Sequence, residues 1–161
     1  MRRKKNKQKK VLFIASVGGH LTQLLQLKPL FQKYDYHIIT ERSVITEALQ
    51  KEYKMSFLVY GARNYLFRYL FKFTYNCFKS LYLFLREKPD VIVTTGAHTA
   101  VPMCYIAKLF GKKVIFIESF AKTTTPTISG RLVYPIADLF IVQWETMKVH
   151  YPKAVHGGSI Y

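Results

Sequence analysis

The stretch "VLFIASVGGHLTQLLQL", residues 11–27, joins a short apolar run to a helical pattern through two adjacent glycines and a histidine. The run is rich in β-branched and aromatic residues, as a strand buried on both faces is. Glycines between a strand and a helix let the backbone approach a ligand closely. The amides that open the helix point outward with a favourable dipole. The segment reads as strand, anion-binding turn and helix; the alternative is that Gly18 and Gly19 only make a tight turn and His20 neighbours the helix cap.

Five further runs resemble the first: "YHIIT" (36–40), "SFLVY" (56–60), "DVIVTT" (90–95), "KVIFIES" (113–119) and "DLFIVQ" (138–143). Helical patterns lie between them at about 20–33, 43–53, 62–86, 99–110 and 127–136. Strict alternation predicts an α/β fold with a doubly wound parallel sheet. Ligands of such sheets collect beyond the carboxyl ends of the strands. The residues that matter most are then Gly18, Gly19 and His20 after the first strand, Thr95, Gly96, Ala97 and His98 after the fourth, and Glu118 and Ser119 at the fifth.

The 161 residues allow one domain with a real core, expected over 11–161 behind a basic flexible tail at 1–10, and leave no room for a second full domain. With 25 Lys and Arg against 9 Asp and Glu, the formal charge of +16 favours an anionic partner: nucleic acid, an acidic membrane leaflet or a phosphorylated substrate. Cys77 and Cys104 lack pairing or metal-ligand spacing and read as buried free thiols, which suits a reducing cytoplasm. The tail "MRRKKNKQKK" resembles the charged region of a signal peptide, but the apolar run after it is too short, so the chain is expected to stay inside the cell. No long charge-free stretch reads as a transmembrane helix.

A dinucleotide fingerprint would need G-x-G-x-x-G where "SVGGHLTQ" supplies two adjacent glycines; only Glu41, standing where a ribose-binding acid would, supports a nucleotide-cofactor enzyme. His20 at the ligand edge could serve as a general base or a contact to phosphate. "TTGAHTAVP" brings a second helix start, with Pro102 in its first turn, to the same crevice, and two such turns suit a pyrophosphate better than one phosphate. His98 is either a ligand contact or a solvent-facing loop residue. Glu118 needs hydrogen bonds from a sugar or from neighbouring groups to offset its burial, and it could instead tie the threonine loop "TTTPT" together.

The segment "ARNYLFRYLFKFTYNCFKSLYLFLREK" (62–88) places Arg68, Lys72, Asn76, Lys79 and Arg86 on one helical stripe, with apolar residues over most of the remainder. That is more apolar surface than a sheet can cover. Aromatics flanked by cations fit a membrane interface, with Phe71 and Phe78 entering and Arg68, Lys72 and Lys79 reaching the headgroups. A protein partner on the outer face is the alternative. Nucleic acid fits less well, because the aromatics alternate with Leu along a helix and no recognition module is present.

Taken together, "SVGGHLTQL", "TTGAHTAVP", "IES", "SGRLVYPIADLFIVQW" and the terminal "GGSIY" resemble the acceptor-side, membrane-recruiting subunits of split GT-B glycosyltransferases. Their bacterial members are accessory proteins of capsule and exopolysaccharide loci, described as enhancers of a β-1,4-galactosyltransferase; the eukaryotic one is the membrane subunit of the dolichol-pathway UDP-GlcNAc transferase. The resemblance implies a Rossmann-like domain equivalent to the N-terminal half of a GT-B enzyme, with little or no activity alone. It makes His20 the catalytic base or an acceptor contact and counts Glu118, on the acceptor cleft, with it among the catalytic residues. Gly18, Gly19 and the Thr95–Ala97 loop would hold the lipid pyrophosphate, beside His98 and Ser119. It puts partner contact at Gly157, Gly158, Ile160 and Tyr161. The UDP-sugar, expected to be UDP-galactose, would sit on a donor-binding partner, with no cofactor or metal in this chain. The acceptor would be undecaprenyl-pyrophosphate-linked glucose. Without the N-terminal transmembrane helix of the eukaryotic pattern, the basic tail and the aromatic helix would attach the chain peripherally to the cytoplasmic face of the membrane. A non-catalytic membrane adaptor is the rival reading.

Overall fold

The computed structural model describes residues 8–60 and 66–160, without the side chains of 66–69. Residues 1–7 of the basic tail, 62–65 of the expected helix, the Arg68 side chain and Tyr161 lie outside the described residues. Seven strands form one parallel sheet: β1 (Lys10–Ile14), β2 (Asp35–Glu41), β3 (Met55–Leu58), β4 (Val91–Thr94), β5 (Lys113–Ile117), β6 (Leu139–Val142) and β7 (Val155–His156). Their order is β3-β2-β1-β4-β5-β6-β7, so the winding reverses between β1 and β4. The predicted α/β class and all six predicted strands are present.

Alternation along β1 builds the two halves of the core. Leu12 and Ile14 join Leu83, Phe84, Met103 and Cys104 on one face, while Val11 and Phe13 join Leu21, Leu24 and Phe31 on the other. The first face is covered by α4 (Leu66–Glu87), α5 (Val101–Leu109) and α6 (Ile128–Val133), and the second by α1 (Gly19–Leu25), α2 (Lys28–Lys33) and α3 (Val44–Leu49). The single helix expected at 20–33 is two, because Pro29 has no N–H to bond Leu25 and its ring would strike that carbonyl. Pro102 does sit in the first turn of α5.

Asn76 departs from the cationic stripe. It is buried, its Oδ1 accepting from Val59 N at 2.9 Å and its Nδ2 donating to Val59 O at 2.8 Å, which fixes α4 to the chain just beyond β3. The expected surplus of apolar surface is there: Leu70, Phe71, Tyr75, Phe78, Tyr82 and Leu85 of α4 are all exposed. Cys104 is buried, which pushes its thiol up to about 12, whereas Cys77 is only half-buried, with a smaller shift in the same direction from the same cause. No helix among the described residues is long and apolar enough to cross a membrane.

Candidate functional site

A cleft of about 410 Å³ opens beyond the carboxyl ends of β1, β4 and β5, lined by Ser16, His20, Ala97, His98, Lys122 and, across from them, Thr127 to Ser129. It lies at the reversal of the sheet, where the sequence pattern placed the ligand.

Two strand-to-helix turns meet there. Gly18 caps α1 with φ of +81°, and Ala97 caps the 3₁₀ turn at 98–100 that leads into α5 with φ of +78°. Positive φ is ordinary for glycine and strained for alanine, and strain of this kind is retained where the surroundings enforce it. Neither cap has a side-chain hydrogen bond, unlike α3 and α6, which Ser43 and Thr127 cap. The first turns after Gly18 and Ala97 thus lack the side-chain acceptor that α3 and α6 carry, and His20 and Ala97, not Gly18 or Gly19, stand on the cleft wall. A Cβ added at Gly18 or Gly19 would meet nothing within 4 Å, so the turn is open on its outer side.

His20 is fastened to the β4 loop. Its Nδ1 donates to Thr95 O at 2.8 Å, and Thr95 Oγ1 donates to His20 O at 2.7 Å. The ring lies against Gly96, where a Cβ would stand 3.4 Å from Cε1. Thr95 and Gly96 therefore act on the histidine, while Ala97 and His98 reach the cleft itself. His98 lies between the cleft and Glu41, its Nε2 3.9 Å from Glu41 Oε1. Glu41 is buried; Thr99 Oγ1 donates to it at 2.8 Å and Val17 N at 3.4 Å. Glu41, which stands where a ribose-binding acid would, thus bonds the protein's own two loops.

Glu118 is 1 % exposed and does not line the cleft. Its carboxylate accepts from Ser119 N and Thr127 Oγ1, each at 2.8 Å, from Thr127 N at 3.3 Å, and from Tyr151 Oη at 2.8 Å. Burial and the adjacent carboxylate both drive the Tyr151 hydroxyl far up, so it stays protonated as a donor. Of the two roles left open for Glu118, these contacts fit the one that ties the threonine loop. Ser119 bonds to Glu118 and stands outside the cleft wall.

At the other end of the chain, Ile160 packs against the α1-side core, and its N donates to Gln143 Oε1 at 3.2 Å. Gly157 N donates to Val142 O at 3.0 Å, extending the two-residue β7 that the sequence pattern did not reveal. Gly157 and Gly158 lie at the surface beside it. The sequence reading also missed Thr127, Ile128 and Ser129 as cleft wall, although the hydroxyl-rich run before a helix start was the signal that could have found them.

The family model described as "Oligosaccharide biosynthesis protein Alg14 like" matches residues 11–160. The mouse protein named UDP-N-acetylglucosamine transferase subunit ALG14 is 32% identical, over 94% of this chain and 82% of the relative; its human counterpart is 28% identical over 93% and 82%. Among solved structures, Acinetobacter baumannii MurG superposes with a TM-score of 0.69 at 17% identity, over 86% of this chain and 42% of its own. A UDP-N-acetylglucosamine 2-epimerase from Rickettsia bellii gives 0.69 at 14%, over 90% and 41%. This chain spans about two fifths of either solved chain. The fold is Rossmann-like and resembles the N-terminal half of GT-B glycosyltransferases such as MurG. By the match over nearly its whole length, the chain belongs to the Alg14-like family of oligosaccharide biosynthesis proteins.

Proposed function

We propose that the chain is the acceptor-binding, membrane-recruiting subunit of a two-component inverting glycosyltransferase of capsular or exopolysaccharide synthesis. The observation that carries this reading is His20, held with its Nδ1 proton on Thr95 O at the wall of a cleft where two helix starts converge. The other ring nitrogen then keeps its lone pair. In the reaction, His20 Nε2 takes the proton of the acceptor hydroxyl as that oxygen bonds C1 of the donor sugar and the bond from C1 to UDP breaks, leaving UDP with the partner. The uncapped turns at Gly18–Gly19 and Ala97 offer amides to the acceptor's pyrophosphate. Glu118 is a positioning residue for the cleft wall, through Thr127.

The acceptor is an undecaprenyl-pyrophosphate-linked glucose and the donor UDP-galactose, on the strength of the motif resemblance. The relatives' name makes UDP-N-acetylglucosamine the rival donor. The exposed aromatic side of α4, with Phe71 and Phe78 flanked by Lys72 and Lys79, meets the cytoplasmic leaflet peripherally. Gly157, Gly158, Ile160 and Tyr161 contribute to the partner contact.

The test is transfer from labelled UDP-galactose and, separately, UDP-N-acetylglucosamine to lipid-linked glucose, with this chain, its partner, or both. Activity only in the mixture supports the split enzyme, and the productive donor names the sugar. Equal activity from the partner alone reduces this chain to an adaptor, and activity from this chain alone overturns the half-enzyme reading.

A further inference from the structure

A second pocket, of about 480 Å³, lies at the carboxyl ends of β2 and β3 and shares no lining residue with the cleft. Among the described residues its wall carries three cations and three aromatic rings: Arg42 just past β2, Phe57 and Tyr60 from β3 and the turn after it, and Lys72, Tyr75 and Lys79 from α4. The turns are locked together, since Arg42 N donates to Leu58 O at 2.9 Å and Asn76 holds both backbone groups of Val59.

The cations are arranged rather than scattered. The Arg42 guanidinium sits 5.6 Å from the Phe57 ring centre and Lys79 Nζ 5.7 Å from that of Tyr75, while Lys72 Nζ donates to Tyr60 O at 3.2 Å. Glu47 meets Arg42 at 3.5 Å, but both side chains are more than half exposed (52% and 68%), so water screens that pair and it contributes little. Three positive groups in one concavity select an anion, and the planar fork of Arg42 suits phosphate oxygens.

What surrounds the pocket says where that phosphate resides. Tyr75 lines the pocket and also belongs to the exposed row Phe71, Tyr75, Phe78 and Tyr82 on α4. On a different element, Val44 and Ile45 at the start of α3, two and three residues beyond Arg42, are 86% and 72% exposed. Apolar side chains thus project from α4, which supplies two of the cations, and from α3, which begins two residues beyond the third. Adjacent strands are about 4.8 Å apart, so β3 and β1 end about 10 Å from each other on the same sheet edge. The pocket and the cleft therefore open at the same edge of the sheet.

We propose that this pocket binds the phosphate of an anionic phospholipid headgroup in the bilayer surface and so sets the orientation in which the cleft meets its lipid-linked substrate. This rests on the membrane reading of α4 given above. The experiment measures binding of the full chain to vesicles of phosphatidylcholine alone and with added phosphatidylglycerol. Arg42→Ala, Lys72→Ala and Lys79→Ala are expected to lower affinity for the anionic vesicles about tenfold each, and Arg42→Ala to leave binding to phosphatidylcholine unchanged. Diffuse attraction is worth about 1 kcal/mol per cation near the surface, or about fivefold, and reads only charge. Arg42→Lys, which keeps the charge and loses the fork, is therefore the deciding variant: a drop of about fivefold supports the pocket, and wild-type affinity overturns it. A loss for Lys28→Ala equal to that for Arg42→Ala overturns it as well. Saturable binding of inorganic phosphate to the chain without vesicles, lost in Arg42→Ala while that variant keeps wild-type affinity for the anionic vesicles, makes the ligand a free phosphate and overturns the headgroup assignment. Phe78→Ser, read on both kinds of vesicle, tests the membrane face separately, so failure of one reading is distinguishable from failure of the other.

Discussion

A carbonyl oxygen accepts and never donates, so the 2.8 Å contact between His20 Nδ1 and Thr95 O places the ring proton on Nδ1. The nitrogen left over can take a proton, and a positioned base of this kind is worth about 10²–10⁴ in rate. His20→Ala is expected to cut transfer within that range while vesicle binding and partner assembly stay at wild-type levels; full transfer by the variant would remove the base. Gly19 separates a ligand role from a turn role more cleanly. A methyl there meets no protein atom within 4 Å, and the residue opens a helix without a positive φ. Gly19→Ala is therefore expected to leave the melting temperature unchanged or slightly raised and to raise KM for the lipid acceptor. An unchanged KM would return the two glycines to the bland reading of a tight turn. Gly130 is the opposite case, because its missing Cβ is where Glu118 Oε2, Tyr151 Oη at 2.5 Å and Thr127 Oγ1 at 2.9 Å converge. Gly130→Ala displaces a buried carboxylate from its donors and is expected to cost about 3 kcal/mol or more in denaturant unfolding.

Two faces of α4 respond oppositely to the same kind of change. Phe84 is 3% exposed in the core and its truncation to Ala is expected to cost about 3–5 kcal/mol. Phe78 is 70% exposed, so Phe78→Ser is expected to change stability by less than about 0.5 kcal/mol while lowering vesicle binding; a large stability loss would mean the face is covered by protein. Periodicity announced this helix because 22 residues average over many turns, and it announced the strands because burial on both faces leaves unbroken apolar runs. It misplaced Asn76, since an angle around a helix axis does not say that a strand end will present Val59's N–H and C=O to that angle. The break at Pro29 was written in local chemistry and was obscured by the apolar pattern running through it. β7 was illegible, because two residues carry no period and Val155 and His156 pair with β6 only through tertiary placement. Cleft residues were legible where a strand end dictates them, as at His20 and Ala97; the threonine-loop role of Glu118 was legible because Thr127 lies 9 residues on, but its bond to Tyr151, 33 residues away, and that of Glu41 to Thr99, 58 residues away, were not.

Charge acts on the molecule as a whole, and its distribution gives stability a definite pH profile. The carboxyl edge of the sheet carries the cleft and the cationic pocket, whereas the amino edge carries ion pairs: Lys10–Glu87 at 2.7 Å, Lys113–Asp138 at 2.9 Å and Lys108–Asp138 at 3.2 Å. Burial opposes ionisation of Asp138, but hydrogen bonds from Lys113, the Val114 amide and Lys108 outweigh it and hold the group at about 2, against an ordinary 3.8. A depressed carboxylate stabilises the fold above its unfolded value and loses that contribution as pH falls through its folded one, here between about 4 and 2. Its side chain is 20% exposed, so screening leaves about 1–2 kcal/mol. His37 moves the other boundary. Burial lowers its affinity for a proton more than Glu87 raises it, with Arg86, Lys10 and Lys54 adding to the lowering. The unfolded chain therefore takes up that proton first, and stability declines as pH falls below 6.5. Acid unfolding should accordingly proceed in two windows. A series of melting temperatures from neutral to strongly acidic pH is expected to fall first below 6.5 and again below about 4. His37→Gln, whose amide nitrogen can take the place of Nε2 beside Ser56 without the titration, should flatten the first decline and leave the second. Asp138→Asn should lower stability at neutral pH and flatten only the second. A wild-type profile in either variant would detach that group from the acid response.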